Sequence, residues 1–219
     1  ISGITVSKLT GGASDNTLDA TGFSLAGTRV ELDGAGGNDK LRGSPGADVL
    51  TGGPGDDLLE GGDGDDTYAF DTDTNLGTDL ISEVVGAGID TVSFAGSQAQ
   101  VTFDLATTSD QTVNSNLTLR LNTGDVLENL TGGNGGDQLR GNDLDNILNG
   151  GPGDDALTGR KGVDLFVGGA GSDRVVEEAD ANMTLTNSTL TIGGVIDLLN
   201  GVEGAFLSGG VSNNILDAL

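Results

Sequence analysis

The chain has no cysteine, no histidine and no tryptophan, and only one tyrosine, one methionine and three prolines. Without cysteine there is neither a disulfide framework nor a thiolate nucleophile. Without histidine the usual zinc ligand sets are missing, and a Ser-His-Asp or Cys-His arrangement is excluded within these residues. Basic residues number 9 against 34 acidic ones, a formal charge of −25, the wrong sign for a nucleic-acid surface. Aromatics make up 3% of the chain, so a broad apolar core is not to be expected. No apolar run approaches the roughly 20 residues of a membrane-spanning helix, and no signal peptide is visible. The chain opens on Ile1 rather than Met, as expected of a segment excised or processed from something longer.

Glycine, by contrast, is abundant, at 40 of 219 residues. From Gly34 to Ala69 the chain reads in ninefold steps: GAGGNDKLR, GSPGADVLT, GGPGDDLLE, GGDGDDTYA. Each step has Gly first, Gly fourth, Asp sixth and a large apolar residue eighth. The frame returns from Gly132 to Val176 as GGNGGDQLR, GNDLDNILN, GGPGDDALT, GRKGVDLFV, GGAGSDRVV, failing only at Leu144 in fourth place and Asn146 in sixth.

Glycine is needed where the backbone takes φ > 0 or passes close to another group, so the paired glycines predict a sharply curved loop. The Asp that closes it is an oxygen donor, the ligand type hard cations prefer. The three residues that follow suit a very short strand whose middle side chain points inward. Two steps then make one coil of a flattened spiral, and loops eighteen residues apart stack. The vertical partners expected are Asp39 over Asp57, Asp48 over Asp66, Asp137 over Asp155, Asn146 over Asp164 and Asp155 over Asp173. Leu41, Leu50, Leu59 and Tyr68, then Leu139, Leu148, Leu157, Phe166 and Val175, are expected to fill the narrow core. A flexible Gly/Asp linker would have no reason to place an apolar residue at every ninth position.

These units resemble the repeats-in-toxin (RTX), or haemolysin-type, calcium-binding nonapeptide, a β-helix motif. The resemblance implies an all-β, right-handed parallel β-roll, here two Ca²⁺-binding rolls joined by β-strand-rich segments. It also implies structural calcium ions held between stacked loops by carboxylates and backbone carbonyls. Carried over by position, the metal ligands are Asp39, Asp48, Asp57, Asp66, Asp137, Asn146, Asp155, Asp164 and Asp173. Asn146 is a neutral ligand, and Leu144 replaces a glycine in the same unit, which sets that unit apart. Self-repulsion at −25 disfavours a compact state, so binding free energy becomes folding free energy. The chain is expected to be largely unstructured in chelator and to fold on adding Ca²⁺.

Five segments follow. Residues 1–33 hold a degenerate repeat and lead-in strands, with a strand expected from Thr28 to Leu32. Residues 34–69 form the first roll, 70–131 a β-rich linker or solenoid extension, 132–176 the second roll, and 177–219 a β-rich segment with the start of a next period. Within 70–131, the donors Asp71, Asp73, Asn75 and Asp79 resemble half of an EF-hand loop, with Gly77 and Glu83 each one place late. Asp90–Phe94, Val101–Leu105 and Leu117–Leu121 alternate as strands do; so do Met183–Leu185, Thr189–Ile192 and Val195–Ile196. Val49, Leu58, Ile147, Leu165, Val167 and Val176 face outward in the repeat frame, and the strands of 88–130 are the nearest candidates to cover them. Residues 199–218 align without a gap on residues 1–20, at an offset of 198. Leu9 matches Leu207, Gly11-Gly12 matches Gly209-Gly210, Asn16 matches Asn214, and Leu18-Asp19-Ala20 matches Leu216-Asp217-Ala218.

Paired carboxylates can hydrolyse glycosides. The adjacent pair Glu177-Glu178, however, would point to opposite faces of a strand, with no apolar pocket apparent to raise either pKa. No catalysis is expected. The function expected is a calcium-binding structural repeat of a large secreted or cell-surface bacterial protein of adhesin, surface-layer or fibre type; the RTX resemblance implies export by a type I system and folding outside the cell. Its partners would be calcium, other copies of the repeat, or polysaccharide. The alternative is an accessory RTX module of a secreted enzyme such as an alginate epimerase, protease or lipase.

Overall fold

The computed structural model describes residues 6–24, 29–84, 88–212 and 214–218, and among these it is all strand, with no helix. An entry coil, β1 (Val6–Gly12) and β2 (Thr17–Asp19), precedes the first repeat block. That block comprises β3 (Arg29–Ala35), β4 (Lys40–Arg42), β5 (Asp48–Thr51), β6 (Leu58–Glu60) and β7 (Thr67–Ala69). The middle segment holds β8 (Gly77–Ile81), β9 (Thr91–Ser93), β10 (Thr102–Asp104), β11 (Gln111–Asn114), β12 (Leu117–Leu121) and β13 (Asn129–Thr131). The second block comprises β14 (Gln138–Arg140), β15 (Ile147–Pro152), β16 (Ala156–Thr158), β17 (Leu165–Ala170) and β18 (Arg174–Ala179). Last come β19 (Met183–Leu185), β20 (Thr189–Ile192), β21 (Val195–Asn200), β22 (Gly204–Gly209) and β23 (Leu216–Ala218).

Successive strands alternate between two walls, and pairing runs from each strand to its counterpart one coil on. One wall is a 12-stranded sheet in which β1, β3, β5, β7, β9, β13, β15, β17 and β21 lie in that order. The opposite wall is a six-stranded sheet through β2, β4, β6, β8 and β12, and then a five-stranded sheet through β10, β14, β16, β18 and β22. All pairings are parallel except β11 with β12, β19 with β20 and β20 with β21. The chain is a parallel β-roll. Thr28, expected to begin the lead-in strand, lies outside the described residues; β3 carries the rest of that strand.

The register follows the repeat. Leu41 pairs with Leu59 and Leu50 with Tyr68; across the middle, Tyr68 pairs with Val92, Val92 with Leu130 and Leu130 with Leu148. Each three-residue strand of the two repeat blocks has one inward side chain flanked by two outward ones. All nine eighth-place residues, Leu41 through Val175, are fully buried. Burying these side chains stabilises the roll by roughly 1.5–3 kcal/mol each, set against the entropy of a glycine-rich chain.

The middle strands do not cover the outward apolar residues. They extend the stack end-on, because their own inward residues Val92, Phe103, Leu119 and Leu130 need the same narrow core. The outer faces stay partly open: Ile147 pairs with Leu165, Leu165 with Leu198, and Ile147 is 44% exposed.

Candidate metal centre

The repeat loops place their sixth residues in vertical columns. In one column Asn16 donates its backbone N–H to Asp39 Oδ1 at 2.7 Å, Asp39 to Asp57 Oδ1 at 2.7 Å, and Asp57 to Asp79 Oδ1 at 2.9 Å. A second column runs from Val30 N–H to Asp48, from Asp48 to Asp66, from Asp66 to Asp90 and from Asp90 to Glu128. It resumes from Asn146 to Asp164 and from Asp164 to Asp197. The third runs from Val101 to Asp137, Asp155, Asp173 and Glu203. All five vertical partnerships expected from the repeat are present.

One carboxylate oxygen of each rung therefore has a fixed backbone partner. The other divides the rungs into two kinds. At or near the start of a stack it folds back on its own loop: Gly133 N–H donates to Asp137 Oδ2 at 2.6 Å, and Ser44 N–H donates to Asp48 Oδ2. Asn142 N–H donates to Asn146 Oδ1 at 2.8 Å, and the Asn146 amide then donates to Glu128 O and Asn142 Oδ1. In the rungs that follow the oxygen has no partner. Asp39, Asp57, Asp66, Asp79, Asp155, Asp164 and Asp173 each leave Oδ2 buried and without a hydrogen bond. A buried charged acceptor left unpaired costs more than the roughly 1–3 kcal/mol of a neutral one.

Burial is the first cause of raised acidity constants along the columns. It lifts Asp66 and Asp79 to about 8, Asp164 to about 7, and Asp57, Asp90 and Asp155 to about 6. Asp39, Asp48, Asp137, Asp197 and Glu128 are raised for the same reason. Neighbouring carboxylates add to it, and among the described residues no lysine or arginine forms an ion pair with any rung of the columns. A ladder of buried, fixed, hard oxygen donors, seven of them with a free atom, is what a divalent oxygen-seeking cation requires.

The glycines divide the work differently from the simple expectation. Positive φ falls on the second and fourth places of a loop, as at Gly53 and Gly55, or Gly151 and Gly153. Ala35 and Arg160 take the second place at φ 73° and 77° without being glycine. The first-place glycine serves close approach instead. At Gly34, Gly52, Gly132, Gly150 and Gly159 an added Cβ would strike the Oδ2 of the Asp that closes the same loop. It keeps clear the space in front of that oxygen, which is free at Asp39, Asp57, Asp155 and Asp164.

The columns reach beyond the repeats. Asp79, Asp90, Glu128, Asp197 and Glu203 are rungs that the ninefold frame did not flag as such, each lying two residues before a residue that pairs in register with an eighth-place core residue or its counterpart. The signal was present. Gly77, Asp79 and Ile81, like Gly88, Asp90 and Val92, keep the fourth, sixth and eighth places and lack only the first glycine. The half EF-hand is accordingly not a separate loop. Asp71 and Asp73 are exposed, bonding Asp73 N–H and Gln98 N–H, while Asp79 is buried in a column. Glu177 and Glu178 do face opposite ways, but Glu177 is buried and pushed up to about 7, contrary to expectation. It accepts backbone N–H groups from Gly159 and Arg160.

A parallel β-roll with columns of buried carboxylates defines a calcium-stabilised solenoid. The profile of the RTX calcium-binding nonapeptide repeat matches residues 33–68 and 140–175, in four copies. These two stretches, about a third of the chain, are RTX repeats, and RTX repeats bind calcium. The match omits most of the unit at 132–140, whose Gly133 and Gly135 lie outside the left-handed region. No curated protein matches the chain.

Proposed function

We propose that this chain is a structural repeat unit of a large secreted or cell-surface bacterial protein of adhesin, surface-layer or fibre type, locked by extracellular calcium. Asp39, Asp57, Asp66, Asp155, Asp164 and Asp173 would each offer the ion a free Oδ2. Asp48, Asp137 and Asn146 would offer an oxygen that already accepts a loop N–H. Residues 34–69 and 132–176 are then the two calcium rolls, and the segments between and after them carry the same walls onward.

The observation that carries the array reading is the likeness of the two ends. β22 and β23 stand 198 residues after β1 and β2, within a residue at either boundary. Asn16 lies over Gly11 through its side-chain oxygen, and Asn214 lies over Gly209 through its amide nitrogen. β22 is already seated in parallel on β18, from Arg174 opposite Gly204 to Ala179 opposite Gly209. A β1-type strand thus has a seat at the end of a second roll, while the outer edge of β1 is unpaired among the described residues.

The test is a two-period chain in which the second copy takes over at β22, compared with one period by small-angle scattering in calcium. A rod of twice the length supports a continuous array. Two modules tumbling independently would overturn it, and a reading frame with one period beside a catalytic domain would favour the accessory-module reading.

A further inference from the structure

The rungs at the end of the first roll differ from the rest. An oxygen from each of Asp66, Glu83 and Asp90 lies within 4.8 Å of the others, the one such acidic triplet among the described residues. Two oxygens bound to one Ca²⁺ at about 2.4 Å stand no more than ~4.8 Å apart. The three are 1%, 4% and 1% exposed, and Asp66 Oδ2 has no hydrogen-bond partner. That oxygen, Tyr68 Oη and Glu83 Oε1 converge on the bare face of Gly61, where an added Cβ would stand 2.7 Å from the glutamate and closer to the other two. No lysine or arginine among the described residues pairs with any of the three. Glu83 and Asp90 lie outside the matched repeats.

We propose that Asp66, Glu83 and Asp90 form a distinct cation site closing the first roll, which takes Ca²⁺ or another hard cation on three carboxylates, with Glu83 in place of a second repeat loop. Tyr68 positions the glutamate: Gly61 N–H donates to Tyr68 Oη at 2.9 Å, and Tyr68 Oη donates to Glu83 Oε1. The second roll supplies an internal comparison. There Phe166 holds the place of Tyr68, and with no hydroxyl to accept it the Gly159 N–H turns to Glu177 directly. Asp164, Glu177 and Asp197 are all buried, yet they do not converge to the same degree. Glu83 also meets the Gly61 and Gly62 N–H groups, as Glu177 meets those of Gly159 and Arg160. The tyrosine thus adds a hydroxyl to a shared loop cap, and only in the first roll does the glutamate converge with both column carboxylates.

Because Tyr68 is the only tyrosine and there is no tryptophan, it is a built-in antenna for bound Tb³⁺. Terbium luminescence excited through tyrosine is measured on the full chain, with the calcium count per chain by native mass spectrometry. Wild type is expected to give sensitised emission that Ca²⁺ displaces. Glu83→Gln should lose most of that emission and one bound calcium while keeping its strand signal in excess calcium. Glu177→Gln should keep the emission, and Tyr68→Phe should lose it while keeping the calcium count. An unchanged calcium count in Glu83→Gln would make Glu83 a loop cap and overturn the site. If that variant does not fold, wild-type crystals grown with Tb³⁺ decide: an anomalous peak among the three carboxylates supports the site, and its absence overturns it. Calcium found in the repeats but not here would sink this proposal and leave the RTX reading intact.

Discussion

Asp57 Oδ1 accepts the backbone N–H of Asp39 at 2.7 Å across eighteen residues, while Oδ2 of the same carboxylate has no partner at all. The relation recurs up the columns, and it makes the metal-free fold unfavourable at neutral pH: each added coil buries another carboxyl group that must either hold its charge without a partner or take up a proton. Removing calcium is therefore expected to abolish most of the strand signal in circular dichroism, and restoring it to bring the signal back in one cooperative step. A strand signal unchanged by chelator would show that the apolar core suffices alone.

Rungs with a free oxygen and rungs that cap their own loop should respond differently. Asp57→Asn removes a charge from a free oxygen and is expected to weaken calcium binding by about 5- to 150-fold, equivalent to about 1–3 kcal/mol, and so to raise the calcium midpoint of folding. Asp48→Asn leaves one oxygen for two donors, Val30 N–H on Oδ1 and Ser44 N–H on Oδ2; part of its cost is the lost loop cap, so its calcium midpoint should shift less than that of Asp57→Asn. Calcium titrations of the two variants, monitored by dichroism, check the order. Equal shifts would mean that Asp48 serves the ion as fully as Asp57 does.

Much of this was legible in the sequence, for a stated reason. An eighth-place apolar residue has one inward slot per strand, so Leu41, Leu50, Leu59 and Tyr68 declare the core by spacing alone. The stacking of Asp39 on Asp57 follows from two steps per coil. The frame was lost at Thr74 and Val85, which take the first place where glycine was demanded, although the fourth, sixth and eighth places continue. Glu128 was hidden because the excursion through β10, β11 and β12 separates it from Asp90 by 38 residues. Glu83 was hidden more deeply. Its role depends on the end of β8 lying against the Gly61 loop, a contact no local pattern encodes.

The raised acidity constants set the pH response of the metal-free chain. Free carboxyls in the unfolded chain titrate near about 4. In the fold, burial lifts Asp57 and Asp155 to about 6, Asp164 to about 7, and Asp66 and Asp79 to about 8. A carboxyl with a raised folded value binds its proton more tightly in the folded state, so its contribution is complete below the unfolded value and is lost as pH rises through the folded one. In chelator, strand content is expected to increase as pH falls from about 8 toward about 4. Calcium affinity should fall over the same range, since protons compete for the same oxygens. Dichroism against pH in chelator checks the first claim, and a loss of strand on acidification would contradict it.

Ala35 and Gly53 hold the same second place in successive coils, and opposite substitutions there should have opposite signs. Ala35 sits at φ 73°, a left-handed conformation that costs a residue with a Cβ about 1–2 kcal/mol. Ala35→Gly relieves that strain and gives back part of it in unfolded-state entropy, for a net gain of about 0.5–1 kcal/mol. Gly53 sits at φ 95°, and a Cβ there would press into the carbonyl oxygen of Ala35 below it. Gly53→Ala should thus cost about 2–4 kcal/mol, strain and overpacking together. Arg160 shares Ala35's strained backbone at φ 77° but makes a two-point ion pair with Asp104, both bonds at 2.7 Å. Arg160→Gly is accordingly not expected to stabilise, because relief of the backbone is offset by leaving Asp104 without its partner. Urea midpoints at fixed calcium, compared among the three variants, check the ranking of Ala35→Gly above wild type and Gly53→Ala lowest; a stabilised Arg160→Gly would show that the ion pair contributes little.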